Sequence, residues 1–119
     1  MARSVVVVDD NDSFRAMTVR IVESWGQRVV GQAASASEAV ERVSALRPDT
    51  VIADITLPDV DGLELTRTLI ALPWPVRVFL ISSDGDETWD SLAESAGASG
   101  FCTKADIFSA RFRAAIERA

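Results

Sequence analysis

The sequence predicts a doubly wound α/β fold, with one parallel sheet between two layers of helices. Three observations carry this. Short β-branched runs alternate five times with stretches of helical periodicity. Several runs are continuously apolar, as in strands buried on both faces. They also close on polar residues: Asp9 and Asp10, Asp54, Ser82 and Lys104. Alternation at this spacing implies right-handed crossovers and helices on both faces of the sheet.

The first strand, Ser4–Val8 (SVVVV), ends in two aspartates. Phe14, Met17, Ile21, Val22 and Trp25 then fall on one helix face. Asp12 or Ser13 is placed to cap that helix, and Gly26 to end it. Arg28–Ala33 (RVVGQA) is more polar and reads as an edge strand. Ala39, Val40, Val43 and Leu46 mark a second helix over Ser37–Leu46, which Pro48 stops. Thr50–Ala53 (TVIA) is a third strand, running into Asp54. Beyond the turn at Pro58–Gly62, Leu65, Leu69 and Leu72 mark a third helix. Val76–Ile81 is the fourth strand, closed by Ser82 and Ser83. Glu87–Ala96 is a fourth, less apolar helix. Gly100–Thr103 is a short fifth strand, followed by Lys104, and Phe108, Phe112, Ala115 and Ile116 make the last helix. Trp25 and Cys102 read as core, Trp74 as cover for a loop, and Trp89 as packing near the strand ends.

The chain has 119 residues, 48% of them apolar, with one Cys and no His. That length holds one domain, residues 1–119, with a core that needs no staples. A single cysteine makes no internal disulfide. Without His, zinc sites of the His or Cys type and serine-protease triads are excluded. The 12 basic residues against 18 acidic give a net charge of −6. This opposes direct nucleic-acid binding, which needs clustered Lys and Arg. The apolar runs are too short for a membrane span, and Met1–Val8 lacks the features of a signal peptide. A cytoplasmic protein is expected. Lys104 is the only lysine; the other eleven basic residues are arginine.

In open α/β sheets, ligands bind beyond the carboxyl ends of the strands, where the strand order reverses. Asp9, Asp10, Asp54, Ser82 and Lys104 collect at that edge. Taken singly, each has an ordinary reading: a cap, a turn residue, a loop hydroxyl, a surface charge. Their shared location lifts the set. Three carboxylates in one cleft repel each other, and a hard cation such as Mg²⁺ relieves this. An aspartate can also act as a nucleophile toward phosphorus. Ser82 can then donate to a phosphoryl oxygen. Lys104 can pair with carboxylate or phosphate as a compact charge on a flexible stem.

These segments resemble receiver domains of two-component response regulators. The residues carrying the resemblance are VVVVDD (Val5–Asp10), VIADITLPDVDG (Val51–Gly62), FLISS (Phe79–Ser83) and AGASGFCTK (Ala96–Lys104). The resemblance implies a flavodoxin-like (βα)5 domain with strand order 2-1-3-4-5. It implies Asp54 as phosphoacceptor, Asp10 and Asp54 as Mg²⁺ ligands with the Thr56 backbone carbonyl, and Asp9 acting mainly through water. Ser82 and Phe101 would be the switch pair and Lys104 the catalytic lysine. A sensor histidine kinase or phosphotransfer protein would donate the phosphoryl group. The surface of the fourth helix, fifth strand and fifth helix would change in response. The resemblance leaves room for a DNA-binding output domain outside this chain. It also allows a phosphorylation-dependent homodimer through Asp90, Glu94, Arg111 and Arg113. In one place the sequence departs: Ala105 follows Lys104, where many receivers carry Pro. A cis bond there would cost about 3 kcal/mol, so a trans bond or a strained loop is expected. The resemblance also places Thr56 and Asp84 at positions that would tune phosphoryl lifetime.

Two rival readings remain open at this point. Asp10-Asn11-Asp12, with Gly85, Asp86 and Asp90, resembles the motifs of aspartate-nucleophile phosphohydrolases of the haloacid-dehalogenase type. A receiver-like interaction module that works without phosphorylation is the other. An EF-hand loop from Asp84 fails, because Trp89 stands where Gly is needed.

Overall fold

The structure, a computed structural model, describes residues 3–83, 85 and 88–118. Five strands alternate with five helices: β1 (Ser4–Val8), α1 (Asp12–Ser24), β2 (Arg28–Ala33), α2 (Ala36–Leu46), β3 (Thr50–Asp54), α3 (Gly62–Ile70), β4 (Arg77–Ser82), α4 (Thr88–Ala96), β5 (Gly100–Thr103) and α5 (Ala110–Glu117). The strands form one parallel sheet in the order β2-β1-β3-β4-β5. The order reverses between β1 and β3, so their carboxyl ends flank the crevice expected to hold a ligand.

The side-chain period of two divides each strand between two cores. Val6, Val8, Val51, Ala53, Val78 and Leu80 face one side and pack with Ala39 and Val43 of α2, Leu65 and Leu69 of α3, and Ala93 of α4. Val5, Val7, Ile52, Phe79 and Ile81 face the other and pack with Ile21 and Val22 of α1 and Phe112 and Ile116 of α5. The continuous apolar runs are therefore explained by burial on both faces. β2 lies at one edge, in agreement with its polarity.

The structure corrects several local readings. The cap of α1 is Asn11, whose side chain accepts a bond from the Phe14 N–H; neither Asp12 nor Ser13 fills that place. α5 starts at Ala110, capped by Ser109, so Phe108 lies before the helix and is 66% exposed. Leu46 closes the α2 stripe but is exposed, while Leu72 lies past the end of α3. Ser82 belongs to β4 and does not lie beyond it. Trp25 is half-buried at the C-cap of α1 and meets Phe112 edge-on at 6.0 Å. The Arg47 guanidinium covers the Trp74 ring at 4.2 Å. Asp84, Asp86 and Glu87 lie outside the described residues.

Candidate functional site

β1 and β3 deliver Asp9 and Asp54 side by side, because Val8 and Ala53 are register partners one residue earlier. Both carboxylates are buried, at 3% and 6% exposure. Each is fixed by the backbone that turns away just after it. Asp9 Oδ1 accepts the Asn11 N–H at 2.8 Å, and Asp54 Oδ1 accepts the Thr56 N–H at 2.9 Å. The outward oxygens share one ammonium: Lys104 Nζ lies 3.1 Å from Asp9 Oδ2 and 2.9 Å from Asp54 Oδ2. Lys104 comes from the end of β5, where a 3-10 turn over Lys104–Asp106 begins. No cis peptide bond occurs among the described residues, and their only non-glycine positive φ is at Arg47. The Lys104–Ala105 link is thus trans, and no non-glycine residue of that loop takes a left-handed φ.

Asp10 joins from the solvent side. It is exposed, and one of its carboxylate oxygens lies within 4.8 Å of oxygens of Asp9 and Asp54. Three carboxylates converging this closely are a donor set for a hard, oxygen-seeking cation. Arg15 does not neutralise them. Its guanidinium donates to the Asp9 backbone carbonyl at 2.8 Å and pairs with Asp12 at 2.9 Å. Burial raises the Asp9 carboxyl above its usual value, against the bonds from Asn11 and Lys104 that lower it. For Lys104, burial pulls the ammonium down, but its bonds to Asp54 and Asp9 outweigh that and hold it above the usual lysine value.

The other residues singled out in the sequence lie in β4, α4, β5 and the loop after β3. Ser82 is buried in β4, one residue beyond Ile81, which is the register partner of Asp54. Phe101 is half-buried in β5 beside Leu80 and packs against the core shared by α2, α3 and α4. Trp89 packs on the same core. Cys102 packs on the opposite one, where burial, reinforced by Asp106, pushes its thiol up to about 12. Thr56 is exposed in the loop after β3.

Four further contacts were not visible in the sequence. The Phe14 ring lies under Lys104 Nζ at 4.2 Å. Asp59, read as part of a turn, accepts the Ala36 and Ser37 N–H groups at 2.9 and 2.8 Å and so ties the loop after β3 to the start of α2. Those bonds hold its carboxyl below the usual range. Gly62 begins α3 against the end of β3; a Cβ there would lie 2.6 Å from the Asp54 carbonyl oxygen and 2.8 Å from Ile55 Cα. Arg77 donates to the carbonyls of Ala115, Ile116 and Arg118 and anchors the end of α5.

Among the described residues, the phosphohydrolase reading is not favoured. Asn11 is spent as a helix cap, and Asp12 points to solvent at 86% exposure, paired with Arg15. Asp86 lies outside the described residues.

Residues 5–116 match the family model for the response regulator receiver domain. Chemotaxis protein CheY of Thermotoga maritima is 32% identical over 104 residues, covering 87% of each chain. Response regulator GacA of Pseudomonas viridiflava is 35% identical over 101 residues, which is 84% of this chain and 47% of GacA. The chain therefore spans about half the length of the GacA relatives it matches. The signal receiver domain of the response regulator NarL from Mycobacterium tuberculosis superposes with a TM-score of 0.85 at 32% identity, over 98% of both chains. Fold, strand order and relatives agree, and the chain belongs to the response regulator receiver domains of two-component systems.

Proposed function

We propose that Asp54 is the phosphoacceptor of this receiver domain, residues 1–119, and takes its phosphoryl group from a sensor histidine kinase or phosphotransfer protein. The observation that carries this is the shared ammonium: Lys104 bridges the buried Asp54 and Asp9 at the open end of the sheet. An Asp54 carboxylate oxygen attacks phosphorus, and the bond from phosphorus to the donor's leaving atom breaks with its electron pair. Lys104 then exchanges a carboxylate for a phosphoryl oxygen. The Ser82 hydroxyl donates to another, and Phe101 turns inward behind it. The α4, β5 and α5 surface shifts between two pre-existing arrangements.

The donor set fits Mg²⁺: Asp10 and Asp54, the Thr56 carbonyl, and Asp9 mainly through water would hold it. Bound there, the ion supplies charge neutralisation for carboxylates and phosphoryl oxygens. The chain's own part is positioning, and it is a phosphoacceptor, not a turnover enzyme. A cytoplasmic setting follows from that partner. No helix among the described residues is long and apolar enough to cross a membrane. The likeness to longer regulators, among them transcriptional regulatory protein DegU of Brevibacillus brevis, 43% of which the chain covers, supports a DNA-binding output domain outside this chain. A phosphorylation-dependent dimer through Asp90, Glu94, Arg111 and Arg113 is a weaker reading, since Arg113 already pairs with Glu117 at 3.3 Å within α5.

The test is intact mass after incubation with phosphoramidate, with and without Mg²⁺. A Mg²⁺-dependent gain of one phosphoryl group in the wild type, absent from Asp54→Asn, is expected. A gain that survives in Asp54→Asn assigns the nucleophile elsewhere. No gain from small donors or from a kinase supports the module that works without phosphorylation.

A further inference from the structure

We propose that Phe14 is a positioning residue for Lys104: its ring is the wall that holds the ammonium between Asp9 and Asp54. This rests on Asp54 being the phosphoacceptor. The ammonium has three donors, and two are directed at carboxylates 3.1 and 2.9 Å away. Its remaining side faces the Phe14 ring, with Nζ 4.2 Å from the ring centroid. An aromatic face attracts a cation electrostatically, and more strongly when the cation is partly desolvated. The Lys104 side chain is only 20% exposed, so this condition holds.

The need for a wall follows from the lysine. Its four-carbon stem carries substantial rotamer freedom, and its charge has no directional fork. Two carboxylates attract it without fixing where it goes when one of them becomes esterified by phosphorus. A ring that closes the α1 side leaves the ammonium over the acceptor. The local chain is built for this. Asn11 donates its N–H to Asp9 at 2.8 Å, and its side chain accepts the Phe14 N–H at 2.9 Å. The Thr18 hydroxyl donates to the Phe14 carbonyl at 2.9 Å. One short turn therefore aims both the carboxylate and the aromatic wall.

Two measurements test this. Lys104 is the only lysine, so protein labelled with ¹³C-lysine gives a single Cε–Hε signal. In the metal-free wild type that signal is expected upfield of its position in urea-unfolded protein, through the ring current of Phe14. In folded Phe14→Leu the upfield displacement is expected to vanish. No displacement in the folded wild type overturns the proposal, and that comparison needs no variant. The second measurement is the rate of Asp54 phosphorylation by phosphoramidate at saturating Mg²⁺. Phe14→Leu is expected to slow it by about 2- to 30-fold, the range to which a contact of about 0.5–2 kcal/mol converts at 1.36 kcal/mol per tenfold. The donor KM should stay unchanged and Phe14→Tyr should keep the wild-type rate. Phe14→Met replaces the leucine variant if thermal melting shows the latter unfolded. Equal rates for wild type and Phe14→Leu, or a Phe14→Tyr as slow as leucine, overturn the positioning role and leave Asp54 in place. A wild type that takes no phosphoryl group from phosphoramidate or from a kinase overturns the phosphoacceptor reading, and the role of Phe14 with it.

Discussion

Replacing Lys104 with methionine is expected to destabilise the metal-free protein strongly. The substitution keeps the length of the stem and removes the charge that two buried carboxylates share. Removing one partner of a buried ion pair costs about 3–5 kcal/mol, because the other charge is left uncompensated. Here the carboxylates keep 4% and 7% of their side-chain exposure, but Lys104 keeps 20%. Water reaching the lysine side lowers the expected loss to about 2–4 kcal/mol. For a chain of this length, each kcal/mol moves the melting midpoint by about 3–5 °C, so a fall of about 6–20 °C is expected. The cause is separable from lost packing. Adding Asp9→Asn removes one of the stranded charges and should restore more than half of the loss, a non-additivity that neighbours sharing a charge display. Adding Mg²⁺ should raise the midpoint of Lys104→Met more than that of the wild type, because no ammonium then competes for the carboxylates and stabilisation grows with affinity. Differential scanning calorimetry at pH 7, with and without Mg²⁺, reads all three. A Lys104→Met midpoint within about 2 °C of wild type, or no recovery on adding Asp9→Asn, would refute the reasoning.

Three further outcomes follow from contacts around the site. Gly62→Ala sets helix propensity, worth up to about 1 kcal/mol in favour of Ala, against a Cβ placed 2.6 Å from the Asp54 carbonyl oxygen. Backbone cannot yield cheaply, so a net loss of about 1–3 kcal/mol in urea unfolding is expected, and a gain would show that the end of β3 is free to move. Arg77→Met removes donors to Thr50 Oγ1 and to three carbonyls at the end of α5. A loss of about 1–3 kcal/mol is expected, with amide exchange in the last turn of α5 accelerating more than in α1. The Cys102 thiol stands at about 12 in the folded chain against a reference of 9.0. Its folded value is the higher, so the associated stabilisation is full below pH 9 and is lost as pH rises toward 12, at about 1.4 kcal/mol per unit. The chain has no tyrosine, so few other groups titrate there. Cys102→Ala should flatten the fall of the urea midpoint between pH 9 and 11, and an unchanged slope would count against burial of the thiol.

The parts of the site legible in the sequence are those where strand chemistry and site chemistry change at the same residue. The interior of a buried parallel strand disfavours a carboxylate, so the valines of β1 before Asp9 and the run up to Asp54, the last residue of β3, announce where the strands end, and with that where ligands bind. Lys104 was legible because it is the lone lysine in a chain of arginines. What stayed hidden depends on contacts between segments far apart. Phe14 obeys the helical spacing of core residues and packs on the core shared by α1 and α5, and nothing in that spacing shows that its ring also faces Lys104 from another strand end. Asp59 sits among turn residues, and its bonds to α2 cross 22 and 23 positions of sequence. Arg77 looks like a solvated charge at the start of β4 until α5 folds its carbonyls over it. Phe108 failed in the opposite direction: the helical period includes it, but the 3-10 turn and the Ser109 cap start α5 two residues later and leave the ring outside. Period and composition report which side of an element is apolar. They do not report which apolar residue closes a polar site, and in this chain that distinction separates Phe14 from the rest of the α1 stripe.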